Sequence, residues 1–218
     1  MNINRQFLWV AFIGIGFFFT SCNNTETIEA EAVEVAETTN ETTYKYDNST
    51  TEIGFTAFKF LNKTGVGGAF DEFEMTVGVE EGNAKEIIEG LSVAIPITGL
   101  NTKDESRDGK ISNFFFGTIN TDVIEGRVIG LYDNGTANFE FTMNGVTNEI
   151  EGDYTLEGGN FNFTAEIDVN DWNAEAGIEA LNEECHDLHI DYENGDTESK
   201  LWSEVSINFS TQLEEIIK

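Results

Sequence analysis

Apolar and polar residues alternate along three consecutive segments between residues 138 and 169. The first segment contains Phe139, Phe141 and Met143, and the last begins at Phe161. Asn-Gly and Gly-Gly pairs separate the segments, as is usual in β-hairpins. Because successive side chains of a strand point to opposite faces, the pattern predicts a three-stranded meander with one aromatic face and one acidic face.

The same alternation predicts further strands on both sides of this meander. They cover residues 53–60, 73–79, 91–97, 123–132 and 201–209. Pro96 lies in one of them, and since proline cannot donate a ladder hydrogen bond, we expect it at an edge, a bulge or a strand end. Gly65, Gly67 and Gly68 predict a flexible turn or bulge. The chain therefore contains about eight predicted strands.

Two segments have helical spacing instead. In residues 101–117, Ile111, Phe114 and Phe115 fit one helical face, which predicts a short helix or lid between strands. In the second segment, residues 171–189, apolar residues recur at the same spacing: Ile178, Leu181, Cys185 and Leu188. Cys185 on that face is expected to be a buried small hydrophobic residue.

An antiparallel sheet with one apolar face must pack on another sheet or close on itself. The exposed faces predicted here are uniformly polar, which disfavours an outer-membrane barrel with an apolar exterior. The pattern thus predicts an all-β domain, either a sandwich or a closed barrel. About eight closed strands leave an interior that side chains fill or that holds one small ligand.

The N-terminus predicts export and lipid anchoring. Arg5 precedes an apolar run over residues 7–19, too short to span a bilayer but suited to a secretory signal. Phe-Thr-Ser-Cys follows and resembles a bacterial lipobox, which predicts a signal peptide over 1–21 and lipidation of Cys22. The alternative is a plain signal peptide with an incidental cysteine. The lipobox therefore predicts a location in the cell envelope, with a lipid anchor at the outer membrane on its periplasmic or surface face.

Residues 22–43 are rich in glutamate and contain no Lys or Arg, so we predict an acidic disordered tether before a folded domain over 44–218. The whole chain has a net charge of −30, with 11 Lys and Arg against 41 Asp and Glu. Because nucleic acid is bound largely through Lys and Arg, this balance argues against a nucleic acid partner.

Several ordered segments resemble one protein family. Phe55 and Phe58 fall in the first predicted strand, and a Gly-x-Phe-x-x-Phe segment spans residues 68–73. Arg-Asp-Gly-Lys-Ile-Ser-Asn-Phe-Phe spans 107–115, and Phe-Thr-Met-Asn-Gly-Val-Thr spans 141–147. In this order and spacing they resemble the YceI-like family of bacterial envelope proteins. The resemblance implies a lipocalin-like antiparallel β-barrel of about eight strands, with one or two short helical insertions, that binds a polyisoprenoid or quinone-like lipid.

From the alternation and this resemblance we predict that the protein is a carrier or reservoir for a long apolar lipid. We also predict which residues bind that lipid. They are Phe55, Phe73, Met75, Phe114, Phe115, Phe139, Phe141, Phe161, Phe163 and Ile167. No cofactor is expected other than such a lipid. The sequence does not specify an oligomeric state.

Two other functions stay open. The first is a structural or adhesive envelope lipoprotein whose barrel is filled and binds no ligand. The second is a divalent-metal module, because Cys185, His186 and His189 offer thiol and imidazole ligands within one helical turn. An enzyme is not expected, since neither a G-x-S-x-G nor an H-E-x-x-H motif occurs in the sequence.

Overall fold

The computed structural model describes residues 42–217. The predicted signal peptide, Cys22 and the predicted tether as far as residue 41 lie outside these residues. The strands are β1 (Tyr44–Lys45), β2 (Glu52–Lys59), β3 (Thr64–Phe70), β4 (Glu74–Val77), β5 (Glu81–Gly82), β6 (Leu91–Pro96), β7 (Leu100–Asn101), β8 (Val123–Leu131), β9 (Thr136–Met143), β10 (Val146–Glu157), β11 (Asn160–Asp168), β12 (Leu201–Gln212) and β13 (Glu214–Glu215). The helices are α1 (Ala84–Glu89), α2 (Glu105–Lys110), which continues into a π-helical turn (Ile111–Phe116), and α3 (Glu175–Glu184). Short 3₁₀ turns occupy Asn48–Thr50, Ile97–Gly99, Val169–Trp172 and His186–His189.

Two bent strands close the main ten-stranded sheet into a barrel. β3 and β4 follow one another along the chain, and so do β6 and β7. β4 pairs with β6, β3 pairs with β7, and between these pairings the Asp71 amide donates to the Gly99 carbonyl at 2.8 Å. When each bent strand is counted once, the ten strands become eight, all antiparallel. The predicted all-β, lipocalin-like barrel is confirmed.

The two ends of the barrel are built differently. α2 with its π-helical turn connects β7 to β8, and α3 connects β11 to β12, so both insertions lie at one end, which we call the helical end. At the other, basal end, α1 packs near the small sheet of β13, β1 and β5. Ile87 and Ile88 of α1 are fully buried there. The predicted helical insertions are confirmed.

The central meander forms as predicted. β9 and β10 pair with Phe139 opposite Ile150, and β10 and β11 pair with Tyr154 opposite Phe163. Asn144 and Gly145, between β9 and β10, both have positive φ, at 51° and 69°. Positive φ at both central residues defines the hairpin turn that Asn-Gly favours. The sequence pattern was sufficient here because the turn and both strands are local.

Several details differ from the sequence predictions. Gly65, Gly67 and Gly68 lie inside β3, so the predicted turn or bulge at these glycines is wrong. Leu188 was placed on the buried helical face, but it is 58% exposed because α3 ends at Glu184. Helix α1 was not predicted, since six residues are too few for a helical period to show. Pro96 does end a strand, as one predicted alternative had it.

In the part of the chain between residues 42 and 217, none of the helices has the length and apolar character needed to cross a bilayer.

Candidate functional site

A cavity of about 180 Å³ occupies the centre of the barrel. Its lining is almost wholly apolar and comes from the inward faces of the strands, the π-helical turn and α3. Because apolar cavities offer water few hydrogen-bond partners, such a space favours an apolar guest. We call it the lumen.

Seven of the ten residues predicted to bind lipid line the lumen: Phe55, Met75, Phe115, Phe139, Phe141, Phe163 and Ile167. They come from β2, β4, the π-helical turn, β9 and β11. Strands far apart in sequence therefore bring the predicted residues to one space. Their role in binding a lipid stays a prediction.

The other three predicted residues do not line the lumen. Phe73 precedes β4, in the bend between β3 and β4 where strand alternation is interrupted. Phe114 is a neighbour of Phe115 on a helical turn, and adjacent residues of a helix do not share a face. Phe161 is fully buried near the basal end, where its ring lies 5.9 Å from that of Phe209. The structure thus places these residues in the surrounding core.

Aromatic rings pack tightly along the wall of the lumen. The rings of Phe139 and Phe163 stack with their centroids 4.1 Å apart. Towards the helical end, the rings of Phe141 and Trp172 meet edge to face at 5.3 Å, and the Trp172 indole donates to the Phe141 carbonyl at 2.9 Å. Such pairs add about 0.5–1.5 kcal/mol beyond their area burial. These aromatic contacts therefore stabilise the wall of the lumen.

Several lining residues were not among those predicted. Strand alternation could have identified Val93, Ile95, Val205, Ile207 and Phe209. Ile178 and Leu181 of α3 also line the lumen, so the helical insertion forms part of its wall. Their helical spacing was visible in the sequence, but spacing did not show that α3 lies over the barrel.

Buried polar groups lie near the helical end. His189 is 8% exposed, and its Nδ1 donates to the Asn182 side-chain oxygen at 2.8 Å. Burial, followed by the positive charges of Lys59 and Lys110, lowers the pKa of His189 to about 4. Burial likewise raises the pKa of the Cys185 thiol. Both groups are therefore neutral near pH 7.

The proposed metal ligands are not brought together. His186 is exposed and pairs with Asp187 at 3.0 Å, whereas His189 is buried against Asn182. Across residues 42–217, no group of three or more His, Cys, Asp or Glu side chains is arranged to hold a metal ion. The metal-binding alternative at Cys185, His186 and His189 therefore lacks a ligand set.

Comparison with known proteins identifies the family. The sequence pattern of the YceI-like domain matches residues 44–213, which is most of the chain. The chain belongs to the YceI-like family. No curated protein matches this YceI-like chain in sequence.

Solved structures share the fold of this YceI-like domain. A polyisoprenoid binding domain from Saccharophagus degradans is 16% identical, with a TM-score of 0.55, over 79% of this chain and 98% of that chain. BcnA from Burkholderia cenocepacia is 15% identical, with a TM-score of 0.51, over 77% of this chain and 98% of that chain. At such low identity these structures show a common fold.

The segments that resembled the YceI-like family have structural roles here. The ring of Phe55 lies against Gly68, its partner across the ladder. The Asp108 carboxylate accepts the Thr102 amide at 2.8 Å and so fixes the start of the helical insertion. In the 141–147 segment, the Asn144 side-chain Nδ2 donates to the Trp172 carbonyl at 2.9 Å. These segments therefore shape the helical end of the lumen.

Proposed function

We propose that this YceI-like protein binds the apolar chain of a lipid, such as a polyisoprenoid or quinone-like molecule, in the lumen. The observation that supports this most is the apolar cavity at the centre of the closed barrel. A solved structure with the same fold is a polyisoprenoid binding domain. An almost wholly apolar lining also suits binding better than acid–base catalysis, so we infer a binding protein rather than an enzyme.

The size of the lumen limits how the lipid is held. Its volume of about 180 Å³ is below the roughly 300–1,000 Å³ usual for small-molecule sites. A long chain therefore requires lining side chains to move, and flexible Met75 is suited to such movement. We infer that the lumen expands around its ligand.

The energetics favour a carrier or reservoir. At about 0.8 kcal/mol per CH₂, burial of a chain of about 40 carbons would give about 30 kcal/mol. This exceeds the ceiling of about 18–21 kcal/mol for non-covalent binding, so the sum does not represent an affinity. A membrane already buries the same chain, and transfer between membrane and lumen is therefore close to balance. A protein in that position delivers or stores a lipid instead of trapping it.

We further propose that the protein is a lipoprotein of the cell envelope, anchored through Cys22. Several acyl chains on one cysteine anchor firmly, whereas a single myristoyl-sized chain binds only marginally. The acidic segment over 22–43 would then separate the barrel from the membrane. Replacing Cys22 with Ala should move the protein from the membrane to the soluble fraction, and an unchanged membrane fraction would contradict the anchor.

The alternative of a ligand-free structural or adhesive barrel predicts a filled interior. The central cavity favours the binding function over this ligand-free alternative.

The proposed lipid binding is tested by purifying the full chain, extracting it with organic solvent and identifying co-purifying lipid by mass spectrometry. We expect an isoprenoid or another long apolar chain near one per protein. Repeated extraction of native protein without any such lipid would contradict the proposal.

A further inference from the structure

Lys59 lies where the wall of the lumen meets the helical end. Phe55 and Ala57 of β2 line the lumen, and Lys59 is the next residue of that alternating series. Its partner across the ladder is Leu201, which also lines the lumen. Since directly opposed residues share a face, the Lys59 side chain follows the inner wall, and its ammonium group lies at the helical end of the lumen, against the Leu188 carbonyl.

Among the described residues, the Lys59 ammonium has no carboxylate within ion-pair distance. It donates to the Leu188 carbonyl at 3.0 Å and lies 4.3 Å from the Phe60 ring centroid. Within residues 42–217, the ion pairs shorter than 4.0 Å include neither Lys59 nor Arg107. An unpaired, half-buried lysine is unexpected in a chain with 41 acidic and 11 basic residues. An external anion would supply the missing partner.

Arg107 of α2 is the second cation at this end of the barrel, because it bonds Thr102, whose methyl group lies beside Gly68, the ladder partner of lumen-lining Phe55. Its Nε donates to the Thr102 hydroxyl at 2.8 Å and its Nη2 to the Thr102 carbonyl at 2.7 Å. The Thr102 hydroxyl in turn donates to the Asp108 carboxylate, which places the threonine between the two charges. Arginine has five N–H donors, so this guanidinium is held in place with donors to spare.

Lys59 and Arg107 carry like charges at the same end of the barrel. Burial and then the Arg107 charge lower the pKa of Lys59, while Cys185 and Asp191 oppose this. The lowered pKa of His189 reports the same positive surroundings, since Lys59 and Lys110 contribute to it after burial. Like charges held together in a partly desolvated site repel each other, and a bound anion would relieve that repulsion.

We propose that Lys59 and Arg107 bind the anionic head group of an amphipathic lipid whose apolar chain lies in the lumen. This inference rests on the proposed function and narrows its ligand class. The shared chemistry is an anionic oxygen group, either a phosphate or a carboxylate. Charge-assisted hydrogen bonds from an ammonium and a planar guanidinium suit both. The tail is recognised by the apolar wall and the head by the two cations.

Probes with the same tail and different heads test this site. The full chain, stripped of co-purified lipid, is titrated with dodecyl phosphate, dodecanoate and dodecanol, and with inorganic phosphate alone. We expect the two anionic probes to bind about ten-fold or more tightly than the alcohol, because charged hydrogen bonds are the stronger ones. We expect inorganic phosphate alone to bind far more weakly than dodecyl phosphate.

Amino-acid substitutions test whether Lys59 and Arg107 cause the preference for anionic probes. Lys59→Met and Arg107→Met should each bring the anionic probes close to the affinity of dodecanol, whereas Lys59→Arg should keep the preference. Lys45→Met is the matched control, since it removes the same charge from the exposed strand β1 at the basal end. Thermal unfolding of each variant shows whether it is folded, and Lys59→Arg preserves the test if Lys59→Met is not.

The outcomes separate the two proposals. Equal binding of dodecanol and the anionic probes would overturn the head-group site and leave lipid binding in the lumen standing. A preference that persists in Lys59→Met and Arg107→Met would overturn the assignment of these residues. Inorganic phosphate that binds as tightly as dodecyl phosphate would show a free-anion site instead. Failure of every amphiphile to bind would overturn the proposed function together with this inference.

Discussion

At the scale of single residues, His189 is held in surroundings that favour its neutral form. Its pKa is about 4 in the folded protein, against an ordinary value of 6.5, because of burial and the nearby lysines. Between these two pH values the unfolded chain binds more protons than the folded one. The contribution of His189 to stability is therefore complete above about pH 6.5 and is lost as the pH falls towards 4, by at most about 3 kcal/mol.

The variant His189→Asn tests this pH dependence. Asparagine keeps an N–H donor near the place of Nδ1, facing Asn182, but does not titrate. We expect the free energy of unfolding, measured in urea, to fall less between pH 6.5 and pH 4.5 in this variant than in the wild type. The many carboxylates titrate in both proteins and cancel in the comparison. An equal fall in both would show that His189 is not responsible.

Gly68 is a second residue whose role follows from a close approach. A Cβ at this position would overlap the Phe55 ring and come within 3.0 Å of the Thr102 methyl group. We expect Gly68→Ala to reduce the free energy of unfolding by about 1–3 kcal/mol. Among residues 42–217, the only atom that a Cβ at Gly67 would meet within 4 Å is the Phe55 carbonyl oxygen, at 3.9 Å, so Gly67→Ala should be nearly neutral. Similar losses in the two variants would contradict this packing.

The sequence alone could not separate these glycines. A run of glycines is typical of a turn or bulge. The neighbouring residues in the sequence do not show that Gly68 of β3 lies opposite Phe55 of β2. That contact depends on the register of two strands. In contrast, the Asn144-Gly145 turn was predictable because its backbone conformation depends on those two residues alone.

At the scale of elements, the two helical insertions pack through one glycine. Gly177 of α3 is buried against the π-helical turn, and a Cβ there would lie 2.8 Å from the Phe115 ring and 3.0 Å from its carbonyl oxygen. The insertions can therefore approach closely only with glycine at this position. Because Phe115 lines the lumen, this contact also positions part of the cavity wall.

We expect Gly177→Val to separate the insertions and lower the free energy of unfolding by about 1–3 kcal/mol, despite the better helix propensity of valine. The matched control is Ala176→Val, at the exposed neighbouring position of the same helix. Urea unfolding measures both. If Gly177→Val were as stable as the control, the close packing of α3 on the π-helical turn would be contradicted.

Helical spacing predicted α3 but not where it ends. The periodic pattern continues to Leu188, yet the backbone leaves the helix at Cys185, where φ is −100° and ψ is 17°. Helix α1 had a different signal. The Asn83 side chain accepts the Glu86 amide at 2.9 Å, which is an N-cap that the sequence shows as Asn followed three residues later by Glu. The capping residues could therefore have identified this helix, which periodicity could not show.

At the scale of the whole molecule, closure of the barrel depends on two bends. The Phe73 to Val79 segment was predicted as one strand, but β4 begins only at Glu74, after the bend that joins it to β3. Alternation predicts which residues face inward and how many strands there are. It does not predict whether the enclosed space is filled, since a packed core and a lumen have the same pattern. The cavity is therefore a finding of the structure.

The central claim is that the lumen holds an apolar chain, and a blocked lumen tests it most directly. Ala57 lines the lumen, and its neighbour Thr56 is not among the lining residues. A labelled isoprenoid is titrated into the wild type, Ala57→Phe and Thr56→Phe. A phenylalanine inside should displace at least two CH₂ groups of the ligand, worth about 1.6 kcal/mol, and so weaken binding about ten-fold or more. The account predicts this loss in Ala57→Phe alone; equal binding by all three proteins would contradict it.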